Sequence, residues 1–160
     1  MAAGFYLVCF LSVAGGLLIA GTMSAPLKIA CCPAGWTPFG HRCFIFFHEA
    51  REWIFGEHVC RSLGGNLASI HTPEENAFLG DYIEKVAGSR VHTWIGGTDE
   101  AQEGTWLWTD GSPFNYQSWS PGEPNNLGQE HCIEMNWREY FWNDNQCYHE
   151  RAYLCAKDQI

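Results

Sequence analysis

The chain predicts an α+β fold: two helices with short antiparallel strands and a long-loop lobe, stapled by disulfides. Three observations carry this. Residues 50–88 hold two amphipathic segments with helix stop signals, GG at 64–65 and Gly88. From Val91 onward the pattern turns to short Trp-rich and apolar runs separated by turn residues. Eight cysteines in 160 residues accompany an apolar leader, the combination expected of a disulfide-bonded secreted domain.

The elements follow in chain order. Residues 1–25, apolar and uncharged with small residues at Ala20, Gly21, Ser24 and Ala25, read as a secretory signal peptide. No Lys or Arg precedes the apolar run, and no later segment is long and apolar enough to span a membrane. The expectation is a secreted, extracellular protein with no membrane anchor once the signal is removed. Residues 26–31 form a short N-terminal segment, and the domain runs over 32–157. CPAGWTPFGHRC (32–43) is a turn-rich loop leading into a strand over Cys43–Phe47. Ala50, Trp53, Cys60 and Leu63 recur near helical spacing, and a short strand follows at Leu67–Ile70.

Thr72-Pro73-Glu74-Glu75 predicts the second helix. Thr72 is the N-cap, Pro73 takes the first helical position and Glu75 closes a capping box. Phe78, Leu79, Tyr82, Ile83 and Val86 form its apolar face, and Gly88 ends it. Trp-rich runs at Thr93–Gly97 and Thr105–Trp108 precede a Gly/Pro/Asn/Ser stretch over about 109–130. A loop of that length inside a compact domain is functional or disordered. Phe114 and Trp119 within it argue for order. Strands are expected at Cys132–Met135, Tyr140–Trp142 and Tyr153–Ala156. There is no internal repeat.

A net charge of −9 with no Lys/Arg cluster argues against nucleic acid and anionic membranes as partners. Eight Trp, ten Phe and six Tyr argue against disorder. With Cys9 lost in the signal, seven cysteines stay, an odd number.

The last third gathers Glu123, Asn125, Glu130, Asn143 and Asp144. Carboxylates and amide carbonyls without thiolate suit Ca²⁺, which takes six to eight oxygens in irregular geometry. Zinc motifs of the HExxH or CxxC type are missing. Pro124 stands between Glu123 and Asn125. A cis Glu123–Pro124 bond, cheap only before proline, would turn both side chains toward one point.

CPAGW, Cys60, LASIHT, WIGG, the EPN loop, Cys132, WND, Cys147 and Cys155 together resemble the C-type lectin domain family over 32–155. The resemblance implies a double-loop fold with two helices and two small antiparallel sheets under a long-loop lobe. It implies disulfides Cys32–Cys43, Cys60–Cys155 and Cys132–Cys147. The second would be worth roughly 4–5 kcal/mol by constraining a long loop. Cys31 stands outside these pairs, and an intermolecular bridge through it would give a homodimer with avidity for multivalent glycans.

The resemblance also implies that Glu123, Asn125, Glu130, Asn143 and Asp144 ligate Ca²⁺ and, with it, two vicinal sugar hydroxyls. Glu before and Asn after the proline is the mannose-type order, for equatorial 3- and 4-hydroxyls of mannose, N-acetylglucosamine, glucose or fucose. An auxiliary Ca²⁺ site is implied at Asp99, Glu103 and Asn126, with Glu130 able to bridge. There the last acid of the pattern is replaced by His131, whose imidazole is a poorer Ca²⁺ ligand than a carboxylate. The tryptophans, Trp94, Trp106, Trp108, Trp119 and Trp142, are expected in the core rather than as sugar-stacking platforms.

Catalytic signatures are missing: no GxSxG, no P-loop, no Cys–His pair outside the disulfide pattern. The chain is therefore read as a binding protein and not an enzyme. The implied role is recognition of microbial glycans in innate immunity. LASIHT and WIGGTD also resemble fish type II antifreeze proteins, which makes ice binding the competing class; the intact EPN loop and the cysteine count favour the lectin.

Overall fold

The computed structural model describes residues 31–160. The expected signal peptide and most of the expected tether lie outside the described residues. Among those described, no helix is long and apolar enough to cross a membrane.

Strand β1 (Thr37–Phe39) pairs antiparallel with β2 (Arg42–Arg51), across a turn where Gly40 takes φ +56°. Helix α1 (Trp53–Ser62) follows directly. Ala50 therefore belongs to an exposed strand end and not to the helix, because β2 continues its ladder to Arg51↔Arg151 through a bulge. The predicted stop at GG holds for a steric reason. A Cβ on Gly65 would sit 2.1 Å from the Ala156 carbonyl oxygen, so the chain passes too close to its neighbour for any side chain.

The short β3 (Asn66–Leu67) leads to α2 (Pro73–Ala87), capped by Thr72 Oγ1 accepting from Glu75 N–H at 3.1 Å. The other half of the expected capping box is redirected. Glu75 accepts from the His71 N–H at 2.9 Å and from Arg42 Nη1 at 2.9 Å, which ties the helix start to β2. Arg42 also donates to the Ser69 carbonyl and hydroxyl, so this buried ion pair is supported by further hydrogen bonds. Leu79 and Ile83 are fully buried, whereas Val86 is exposed at the last turn, where the helix runs past the core.

Strands β4 (Thr93–Thr98), β5 (Leu107–Trp108), β6 (Cys132–Met135), β7 (Asn143–Asn145) and β8 (Arg151–Asp158) complete the fold. The expected strand over Tyr140–Trp142 forms one step later, at 143–145. Trp142 is spent instead on hydrogen bonds to the long loop, and Tyr140 on hydrogen bonds with Asn76 and Asp81 in the second helix. The two expected small antiparallel sheets are joined into one mixed sheet in the order β1-β2-β8-β4-β6-β7. The joint is the parallel pairing Thr93↔Ala152 and Trp94↔Tyr153. It forms because Trp94 and Tyr153 are both buried and share one apolar cluster.

Two apolar clusters flank this joint. The larger holds Phe44, Leu79, Ile83, Ile95, Ile133, Trp142 and Leu154; the smaller holds Trp53, Leu67, Trp94 and Tyr153 around Cys60 and Cys155. The disulfides are Cys32–Cys43, Cys60–Cys155 and Cys132–Cys147. Cys31 exchanges backbone hydrogen bonds of 3.3 Å with Ile160, closing the two ends of the domain on each other.

Candidate functional site

The long loop is ordered because it is hung on Trp142. This indole is fully buried, and its Nε1–H donates to Asn76 Oδ1 at 2.8 Å. Trp142 N–H donates to the Ser118 carbonyl at 2.7 Å, and Ser120 N–H donates to the Trp142 carbonyl at 2.9 Å. Trp108, Phe114, Tyr116 and Trp119 pack against the same indole. Trp94, Trp108 and Trp142 are core residues, while Trp106 and Trp119 are partly buried against the core. The residues that follow Trp142, Asn143 and Asp144, are thereby delivered beside the residues that follow Ser120.

The Glu123–Pro124 peptide bond is cis. Asn125 Nδ2 donates to the Glu123 carboxylate, so these two side chains face one another across the proline. Asp144, fully buried, accepts from the Asn125 N–H at 3.0 Å and the Asn126 N–H at 2.7 Å, one per oxygen. Glu130 Oε2 accepts from the Leu127 N–H at 3.1 Å, and Asn125 Oδ1 accepts from the same N–H at 2.7 Å. Asn126 takes φ +50°, a conformation Asn tolerates because its short side chain bonds locally; here Oδ1 accepts from the Glu130 N–H at 2.7 Å. Glu123, Asn125, Glu130 and Asp144 are thus brought together on one loop face.

The electrostatics combine burial with crowded like charges. Burial, and then the Asp144 carboxylate, push the Glu130 carboxyl up to about 7; Glu123 and Glu134 add to it. Burial, and then Asp144, also raise Glu123. A divalent cation is the natural relief of such a site, and every side-chain donor in it is a hard oxygen or an amide. The residues fit Ca²⁺.

Asn143 is held by a residue the sequence reading passed over. Glu134 stands directly opposite Asn143 in the β6–β7 pair, and its Oε1 accepts from Asn143 Nδ2 at 3.0 Å. Glu134 is fully buried, and Arg151 Nε donates to it at 2.7 Å. The signal in the sequence was a lone acid inside the apolar strand CIEM. Gln146 was also missed; directly after β7, its Nε2 donates to the Leu127 carbonyl at 2.8 Å and braces the loop.

The auxiliary residues form a second cluster. Asp99 is 1% exposed, Oδ1 lies 2.9 Å from His131 Nδ1, and Oδ2 accepts from the Gly104 N–H at 2.7 Å. Glu103 Oε2 lies 3.6 Å from the same Nδ1 and accepts from Asn126 Nδ2 at 2.7 Å. Asn126 faces both clusters.

Comparison with known proteins agrees with this architecture. The family model for the lectin C-type domain matches residues 49–157. Galactose-specific lectin nattectin of Thalassophryne nattereri is 42% identical over 154 residues, 96% of this chain and 92% of that one. Ladderlectin of Oncorhynchus mykiss is 51% identical over 118 residues, 72% of this chain and 62% of that one. A crystal structure of a calcium-independent type II antifreeze protein aligns with TM-score 0.76 and 37% identity, covering 84% of this chain and 99% of that one. With the matched domain covering most of the chain, and the fold and three disulfides in place, the protein belongs to the C-type lectin family.

Proposed function

We propose that the protein is a secreted, calcium-dependent lectin that binds glycans at the Glu123–Asp144 loop face. The single observation that carries this is the meeting of Glu123, Asn125, Glu130 and Asp144 on one face, with burial and then like charges raising the Glu130 carboxyl. Glu123, Asn125, Glu130, Asn143 and Asp144 would hold Ca²⁺. Bound there, the ion supplies open coordination positions for two vicinal sugar hydroxyls.

The chain's own part is orientation and hydrogen bonding. Glu123 and Glu130 accept from the sugar hydroxyls. An amide nitrogen carries two hydrogens. Asn125 spends one on Glu123 and Asn143 spends one on Glu134, so each retains a second for a sugar oxygen. Buried Asp144 fixes the loop through two backbone amides. One monosaccharide covers little surface, so each site is weak and useful binding needs several.

The Glu-Pro-Asn order favours equatorial 3- and 4-hydroxyls, as in mannose, N-acetylglucosamine or fucose, and microbial glycans are the partners that chemistry suits. Nattectin's name says galactose, which makes galactose the sugar to compare. A glycan array run with calcium and with EDTA tests the reading. Mannose-type binding lost in EDTA is expected; absent or calcium-independent sugar binding overturns it. The antifreeze neighbour supports ice binding as the second reading, and thermal hysteresis without sugar binding would favour that.

A further inference from the structure

Asp99, Glu103 and His131 each offer one ligand atom, and these atoms lie within 4.8 Å of one another. We propose that this trio is a site for a divalent transition metal of the zinc class, separate from the loop-face calcium site. The donor set differs in kind from one suited to calcium. An imidazole nitrogen with two carboxylate oxygens is a zinc-type set, three protein donors leaving a fourth position for water, whereas calcium asks for six or more oxygens.

The trio is built on paired backbone. Asp99 directly follows β4 and His131 directly precedes β6, where Thr98↔Cys132 is in register. Asp99 N–H donates to the His131 carbonyl at 3.2 Å, which holds the two residues side by side. Glu103 is returned to them by a turn closed twice, by Gln102 N–H on the Asp99 carbonyl at 2.9 Å and by Gly104 N–H on Asp99 Oδ2 at 2.7 Å. Asp99 is a buried carboxylate, and the one ion-pair partner it has among the described residues is this imidazole. Each carboxylate accepts one further hydrogen bond, from the Gly104 N–H and from Asn126 Nδ2, which orients it as ligand carboxylates usually are. Through Asn126, which also bonds Glu130 and Asp144, the metal would brace the loop face.

The test is calorimetric titration of untagged full-length mature protein with ZnCl₂ in saturating CaCl₂. Uptake of one Zn²⁺ is expected, weakened at least tenfold in His131→Ala and unchanged in Glu74→Gln, an exposed acid at the start of α2. In His131→Asp zinc also weakens at least tenfold. No zinc uptake by the wild type, or equal affinity in His131→Ala, overturns the site. Should a variant fail to fold, proton NMR of the wild type decides. The His131 ring resonances must be the first to shift with zinc, and another histidine shifting first refutes the proposal. None of these readouts uses sugar, so the zinc site and the lectin reading stand or fall separately.

Discussion

Removing one charge from the loop face has a calculable effect on stability. Glu130 is 8% exposed, and its carboxyl is pushed from 4.5 up to about 7 by burial and by Asp144. In the unfolded chain it returns to about 4.5. The folded value is the higher, so the metal-free protein is relatively favoured while both states are protonated, below about 4.5. That advantage is lost as pH rises to about 7, over a range worth about 3 kcal/mol. Glu130→Gln cannot ionise and escapes the loss. In EDTA, the wild type should therefore fall behind Glu130→Gln between pH 5 and 8, by about 10 °C in melting temperature for a domain of this size. Saturating calcium should reverse the sign for the wild type, because an ion held at the proposed site would need the ionised carboxylate. The assay is thermal unfolding at four pH values with EDTA and with calcium, reading wild type minus variant so that other titrating groups cancel. Parallel pH profiles for the two proteins in EDTA would refute the reasoning.

Other perturbations have equally direct readouts. Gly80→Ala would place a Cβ 2.3 Å from Tyr140 Cδ1, and about 1–3 kcal/mol of overpacking should appear in urea unfolding. Asn76→Ala leaves the buried Trp142 indole and the Tyr140 carbonyl without their partner. It should cost about 1–3 kcal/mol and weaken calcium binding measured by calorimetry, since the loop hangs on Trp142. Glu134→Ala removes the acceptor for Asn143 and the ion-pair partner of Arg151. It should cost about 3–5 kcal/mol in melting experiments and lower calcium affinity at least tenfold, whereas Glu134→Gln should retain part of both.

Legibility in the sequence followed how local the determining physics was. Helix α2 was readable because Thr72, Pro73 and Gly88 act within a turn of their own positions. Glu75 was half-readable: its backbone amide meets the cap, but its carboxylate answers to Arg42, far away in sequence. The joining of two sheets into one was not readable, since Trp94 and Tyr153 announce burial but not each other. The loop-face residues were legible from their chemistry. Glu134 was not, because its role comes from strand register against Asn143, and a lone acid in an apolar strand does not name its partner.

The closure of Cys31 on Ile160 sets how the molecule can be displayed. Both ends leave from the β1-β2-β8 side of the sheet, while β7 at the other edge carries Asn143 and Asp144. β8, which leads to Ile160, and β7 stand three strand spacings apart in this order, about 14 Å. A copy anchored by either terminus, on a bead or to another copy, would present its binding edge outward. Two copies joined end to end would set these edges roughly 30 Å apart, a caliper for spaced glycans rather than a clamp on one.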